Sequence, residues 1–370
     1  MQTTALNARG SVALPAPLTV DDGSVLDDVA VGYESWGALT PERDNLVVVC
    51  HSLTKGAHAA AHDEDDTAGW WEAAIGPGRM IDTDHWCVIA FDALGSGGTT
   101  GPSTPHPSDG APYGSRWPRV TVHDIVRSCL AALDALDICS VHAVIGGCFG
   151  GQQALGWALL GGDRVRSVIP IAVTAATSAH SIALFSVLRQ MITSDPKWRN
   201  GDYPPDDPPT EGVGRSLAAA IPLWMSRATF EQKFGRQRGV WDGETCYASE
   251  VFVAQVVERS GRGIDARSLV SLTRTVDDFD LRTGHGDLAA AFGPVSARLL
   301  VVAYENDWRY PVEECRQVHE AARVAGVHSR FLVIDNPTGH GAFMYDLAEL
   351  SGPVRDFLHA VRSERDGCDR

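Results

Sequence analysis

The sequence holds no stretch that approaches the roughly 18 uninterrupted apolar residues a membrane-spanning helix needs, so no bilayer crossing is expected. It has no C-x-x-C pair and no compact Cys/His cluster with metal-ligand spacing, although it contains eight cysteines. Reduced, mostly buried thiols are expected instead. Positive charge is scarce: 31 Lys and Arg stand against 47 Asp and Glu, for a net charge of −16. That balance argues against nucleic acid and anionic membranes as partners. The opening residues, MQTTALNARGSVALPAP, lack the basic start and apolar run of a signal peptide, which gives the expectation of a cytoplasmic protein. No internal repeat and no long low-complexity tract is present. What remains is an ordinary globular composition, 44% hydrophobic over 370 residues. That length suits one large catalytic domain with an insertion.

Short apolar runs read as buried parallel strands at Leu46–Cys50, Cys87–Phe91, Val141–Ile145, Ser167–Ile171, Arg298–Ala303 and Phe331–Ile334. Helical patterns lie between them. Apolar residues at 122, 125, 126, 129, 130, 133 and 136 form a stripe over Val122–Leu136. Gln152–Leu160 and Val312–Val324 also read as helices. This alternation predicts an α/β fold with a mostly parallel central sheet flanked by helices. It stops between about Ala175 and Gly286, where a proline-acid stretch, DYPPDDPPT, joins helical segments. The predicted organisation is an α/β core over 1–175, a helical lid over 176–286, and the rest of the core over 287–370.

The segment VHAVIGGCFGGQQALGWA carries the most chemistry. A strand ends in Gly146-Gly147-Cys148-Phe149-Gly150 and an apolar helix follows. This is the nucleophile-elbow pattern, Gly-x-nucleophile-x-Gly, with cysteine in the usual serine position. The nucleophile occupies a strained strand-to-helix turn, and side chains at Gly146 or Gly150 would collide with neighbouring backbone. The turn also points the thiol at a helix N-terminus, which favours thiolate.

In such a site the acid and then the histidine follow the nucleophile along the chain. Asp307 lies after one late strand, in YENDWRYP, and His340 after the next, in NPTGHGAFMYD. His340 would take the thiol proton and Asp307 would fix its tautomer. The oxyanion hole is expected from the backbone N–H groups of Phe149 and of Leu53, in HSLTKGAHAA. His51 and His58 resemble metal ligands, but no acidic third ligand has suitable spacing, so no metal is expected.

These residues, and motifs over nearly the whole chain, resemble the homoserine O-acetyltransferase family, with the related serine O-acyltransferases, of the α/β-hydrolase superfamily. HSLTKGAH resembles H-A-L-T-G-D-x-H. WWEAAIGPGRMIDTDHWCVIAFDALGSGGTTGPS resembles the family's W-W…G-P-G…D-T…L-G…G-S-T-G-P block. LRQMITSDPKWRNGDY and WMSRATFEQKFGR resemble R-Q-A-I…D-P-x-W-x-x-G-x-Y and Y-R-S…F-x-x-x-F-G-R. NDWRYP and TGHGAF resemble S-D-W-L-F-P and G-H-D-A-F.

The resemblance implies ping-pong acyl transfer with no resident cofactor. An acyl-CoA co-substrate loads the nucleophile, and a small hydroxylated acceptor collects the acyl group. It further implies a homodimer through lid helices, and it sets Arg227 on the lid arginine that faces the acceptor carboxylate. The departures fall on the site. Cys148 replaces serine, Phe149 replaces methionine and Asp92 stands where the family has Asn. Gly341 replaces an Asp that holds the acceptor's amino group. Loss of such an ammonium partner removes about 1.5–3 kcal/mol, which argues against homoserine unless Asp92 substitutes. A cysteine also widens the chemistry. Loading from CoA or from a carrier-protein thioester is nearly isoenergetic, and a thioesterase could use the same triad.

Overall fold

The computed structural model describes residues 5–368, with side chains up to residue 363. Eight strands form the main sheet: β1 (Arg9–Ala13), β2 (Ala30–Trp36), β3 (Leu46–Cys50), β4 (Cys87–Phe91), β5 (Ala143–Gly147), β6 (Ser167–Ile171), β7 (Arg298–Tyr304) and β8 (Ser329–Ile334). Their order is β1-β2-β4-β3-β5-β6-β7-β8. β1 and β2 pair antiparallel, as do β2 and β4. Every other pairing is parallel.

Side chains along a strand point alternately to opposite faces, and both faces here are covered. Leu46, Val48 and Cys50 of β3 join one apolar core. Val47 and Val49 join the other. β4 divides the same way, with Cys87, Ile89 and Phe91 against Val88 and Ala90. Strands buried on both sides must be apolar throughout, which is why these runs stand out in the sequence.

Three helices cover the first core: α1 (Val122–Ala135), α2 (Phe149–Leu160) and, later in the chain, α9 (Val312–Val324). A capping box between Thr121 and Asp124 starts α1. Val122, Ile125, Val126, Cys129 and Leu133 of its stripe are buried. The second core is closed by α11 (Ala348–Cys368), through Leu350, Val354, Phe357 and Leu358.

Between β6 and β7 the chain leaves the sheet. It forms α3 (Ala179–Thr193), α4 (Thr210–Trp224), α5 (Arg227–Lys233), α6 (Ala248–Ser260), α7 (Ala266–Asp277) and the short α8 (Leu288–Phe292). A hairpin of Arg238–Trp241 and Glu244–Tyr247 precedes α6. Its residues are exposed or half-buried, so no buried apolar run marks it in the sequence. A tight turn at Gly339–Gly341 and α10 (Ala342–Tyr345) separate β8 from α11.

Candidate active site

Cys148 follows β5 directly and precedes α2. Its backbone, at φ 58° and ψ −119°, is a conformation that non-glycine residues rarely adopt. The glycines around it permit the turn. A Cβ on Gly146 would lie 2.5 Å from the Gly150 carbonyl oxygen, and one on Gly150 would lie 2.2 Å from that of Cys50. Helix α2 starts at once, at Phe149, three residues before the helix read from the sequence. Phe149 is therefore its first residue, and its N–H is one of the four that no helical carbonyl can reach.

β7 ends one residue group short of the next participant. The Asp307 carboxylate is buried, and its Oδ2 accepts a hydrogen bond from His340 Nδ1 at 2.7 Å. Its Oδ1 accepts the backbone N–H groups of Arg309 at 2.9 Å and Tyr310 at 3.0 Å. One carboxylate thus orients the histidine and folds the following turn. His340 sits in a tight turn, Gly339–Gly341, beyond β8. Gly339 has φ +74°, and a Cβ there would come within 2.8 Å of the Asn306 carbonyl oxygen.

The Cys148 sulfur meets three groups. Tyr310 Oη lies 3.9 Å from Sγ. The His340 imidazole and the Arg309 guanidinium also engage it. Burial alone would push the thiol up, but Arg309 first, then His340 and Tyr310, outweigh it and lower its pKa to about 6. Burial would likewise lower His340, yet the charges of Asp307 and Cys148 prevail and raise it to about 9. The two shifts run in opposite directions, and both favour a thiolate–imidazolium pair beside the guanidinium.

This group opens into a cavity of about 440 Å³. Leu53 lines it with Ser52 and Lys55 from the loop after β3, while α3, α4 and α6 contribute Phe185, Trp224 and Phe252. The structure therefore brings together Cys148, His340, Asp307, Leu53, Phe149 and Gly341.

It does not bring in Arg227 or Asp92. Helix α4 ends at Trp224, and Ser226 caps a new helix in which Arg227 is the first residue, exposed and outside the cavity lining. The break between the helices turns that side chain away. If Y-R-S is laid on Trp224-Met225-Ser226, the family's arginine position falls on Met225. Asp92 is committed elsewhere: its two carboxylate oxygens accept the N–H groups of Ala57 and Gly98, each at 2.8 Å. It braces the loop that carries Leu53 and is absent from the cavity wall.

The two histidines singled out as metal-like divide. His51 is buried, with Nδ1 2.9 Å from the Ser52 carbonyl oxygen and Nε2 accepting the Ala93 N–H at 3.0 Å. His58 and His62 converge on Glu34 of β2, with ligand atoms within 4.8 Å of one another. The acidic group that spacing lacks is thus supplied by the fold, from an upstream strand. Glu34 Oε2 lies 2.9 Å from His58 Nδ1 and 2.8 Å from His62 Nε2, and His58 Nε2 faces the Thr67 carbonyl at 2.8 Å. These are hydrogen-bond lengths, and Arg9 pairs with the same carboxylate at 3.3 Å.

Arg309 and Tyr310 escaped the sequence reading. Their signal was the departure of NDWRYP from S-D-W-L-F-P, where two apolar residues give way to a cation and a phenol.

Comparison with known proteins agrees with this architecture. Residues 45–347 match a family model described as alpha/beta hydrolase fold. The homoserine O-acetyltransferase of Zymomonas mobilis subsp. mobilis is 38% identical, over 95% of this chain and 97% of its own. That of Symbiobacterium thermophilum is 37% identical over 95% of each. The crystal structure of homoserine O-acetyltransferase from Bacillus anthracis superposes with TM-score 0.86 at 25% identity, covering 95% and 97% of the two chains. Esterase E22 superposes with TM-score 0.85 at 26% identity, over 95% and 99%. With its sheet order, its elbow and its nearly full-length similarity to these enzymes, the chain belongs to the homoserine O-acetyltransferase family of the α/β-hydrolase fold.

Proposed function

We propose that the protein is an acyltransferase that moves an acyl group, acetyl in the first instance, from acyl-CoA through a Cys148 thioester to the hydroxyl of a small acceptor. The observation that carries this reading is Cys148 on its elbow, beside a His340 held by Asp307 at 2.7 Å, on the wall of a cavity of about 440 Å³. The Cys148 thiolate attacks the thioester carbonyl. Charge develops on the carbonyl oxygen, and this reading assigns its stabilisation to the N–H groups of Phe149, at the start of α2, and Leu53, on the cavity wall. Imidazolium His340 protonates the departing CoA sulfur and becomes a neutral base. It then takes the proton of the acceptor hydroxyl as that oxygen attacks the acyl-cysteine. Acyl-CoA is a co-substrate, so the chemistry needs no resident cofactor.

Intact-protein mass after exposure to acetyl-CoA tests the reading. An acetyl adduct should appear on the native enzyme and be missing from Cys148→Ala. A native enzyme that acquires no adduct from acetyl-CoA, longer acyl-CoAs or an acyl carrier-protein thioester rules it out. The likeness to esterase E22 favours a second reading, hydrolysis on the same triad. Rapid, continuous CoA release with no acceptor present would decide for hydrolysis.

A further inference from the structure

Apart from the Cys148 sulfur itself, the charged side chains that line the cavity are basic. Lys55, Arg189 and Arg309 line it, and no Asp or Glu does among the described residues. This is unusual in a chain of net charge −16. Arg189 already has a counter-ion, Asp277, at 2.6 Å, set behind the wall. Arg309 forms no ion pair with a carboxylate among the described residues: it lies against the rings of Phe185 at 4.8 Å and Tyr310 at 5.0 Å, with the Cys148 sulfur and Asp307 as negative neighbours. The rest of the lining is largely apolar, with Leu188, Ile192, Leu217, Leu223, Val256 and Leu269. No room exists for an acid at 341 either, because a Cβ on Gly341 would meet the Trp224 carbonyl oxygen at 2.9 Å.

We propose that the acceptor is an anionic hydroxy acid with an apolar body and no ammonium group, and that Arg309 anchors its carboxylate beside the acyl-cysteine. The inference rests on the acyl-transfer reading and follows the guanidinium through one turnover. In the free enzyme Arg309 faces the Cys148 thiolate. Acylation turns that thiolate into a neutral thioester and leaves the half-buried cation facing Asp307 alone, whose oxygens are already taken by His340 and two backbone N–H groups. The carboxylate of the acceptor restores the balance and carries its hydroxyl to the acyl carbon. The new C–O bond forms, the C–S bond breaks, the hydroxyl proton passes to His340, and the thiolate returns to Arg309. An ammonium group on the same acceptor finds cations and apolar carbon but no carboxylate, and is excluded by desolvation and like charge.

The test separates binding from turnover. Calorimetry on Cys148→Ala compares ω-hydroxyhexanoate, its methyl ester and its α-amino derivative. The free acid should bind about tenfold or more tighter than either analogue, the scale of one charge-assisted hydrogen bond. Adding Arg309→Gln should abolish that preference, and Arg309→Lys should keep part of it, which excludes misfolding as the cause. On native enzyme preloaded with acetyl-CoA, the free acid should discharge the acetyl group fastest. Equal binding of acid and ester, tighter binding of the α-amino compound, or a preference that survives Arg309→Gln would overturn the proposal. Failure of acetyl-CoA to load Cys148 would fall on the acyl-transfer reading alone, since the binding comparison needs no acylation.

Discussion

A thiol with an ordinary pKa is mostly protonated at neutral pH and reacts slowly. Cys148 departs from that because its surroundings hold three hydrogen-bonding or charged groups against one sulfur. A lowered acid pKa means the charged form persists down to lower pH. Between about 6 for Cys148 and about 9 for His340 the pair is ionised. Alkylation of Cys148 by iodoacetamide, followed by mass spectrometry, should therefore rise through about pH 6 and level off by neutrality. In Arg309→Leu the profile should shift upward, because the largest charge favouring thiolate is gone. Asp307→Asn tests a different dependence. The asparagine can still meet Nδ1 but brings no charge to stabilise imidazolium. Transfer should fall by at least about 100-fold, with acceptor KM changed far less, in steady-state assays.

At the scale of single elements, glycines differ in what a side chain added to them would meet. Gly150→Ala would drive a methyl into the Cys50 carbonyl. It should destabilise the fold by several kcal/mol or prevent soluble expression, as read by thermal melting. Gly352, in α11, meets nothing beyond its own helix, but it stands directly before Pro353, whose ring crowds a Cβ on the preceding residue. Gly352→Ala should therefore move the same melt far less than Gly150→Ala, by under about 1 kcal/mol.

The sheet was legible for a related reason. β3, β4 and β6 are apolar on both faces and match their sequence-derived bounds residue for residue. β1 and β2 were not legible, because antiparallel strands at the sheet edge mix Arg9, Ser11, Glu34 and Ser35 with apolar residues. The meeting of Cys148, Asp307 and His340 was legible because chain order and strand ends constrain where they fall. Arg227 and Asp92 misled because a motif match fixes a position but not a direction. A helix break decided the one, and two backbone N–H groups decided the other.

Across the whole molecule, the chemistry hangs on the sheet while the roof of the cavity does not. Leu53, Cys148, Asp307 and His340 follow β3, β5, β7 and β8 respectively; β3, β5 and β7 are buried in two cores, and β8 is the half-buried edge strand beside β7. By contrast α6 buries no residue fully, and the hairpin before it is exposed or half-buried. Elements with few buried contacts open at low free energy. Amide hydrogen exchange should thus be fast over 238–260 and slow over β3, β5 and β7. Phe252, Val256 and Ser260 of α6 face the cavity. A ligand held there should slow exchange in α6 while leaving the already protected strands unchanged. Uniform protection of roof and sheet in the empty enzyme would contradict this division.

The Asp307 carboxylate has a consequence for how such a site can change over generations. One oxygen serves His340 and the other pins the N–H groups of Arg309 and Tyr310. Reactivity and acceptor choice therefore share an ancestor residue that neither can lose separately. Lineages can vary the side chains at 309 and 310 without unfolding the turn, because the clasp grips only their backbone. Each such change also alters the charge and hydrogen bonding at the Cys148 sulfur, so acceptor preference and thiol reactivity are inherited together.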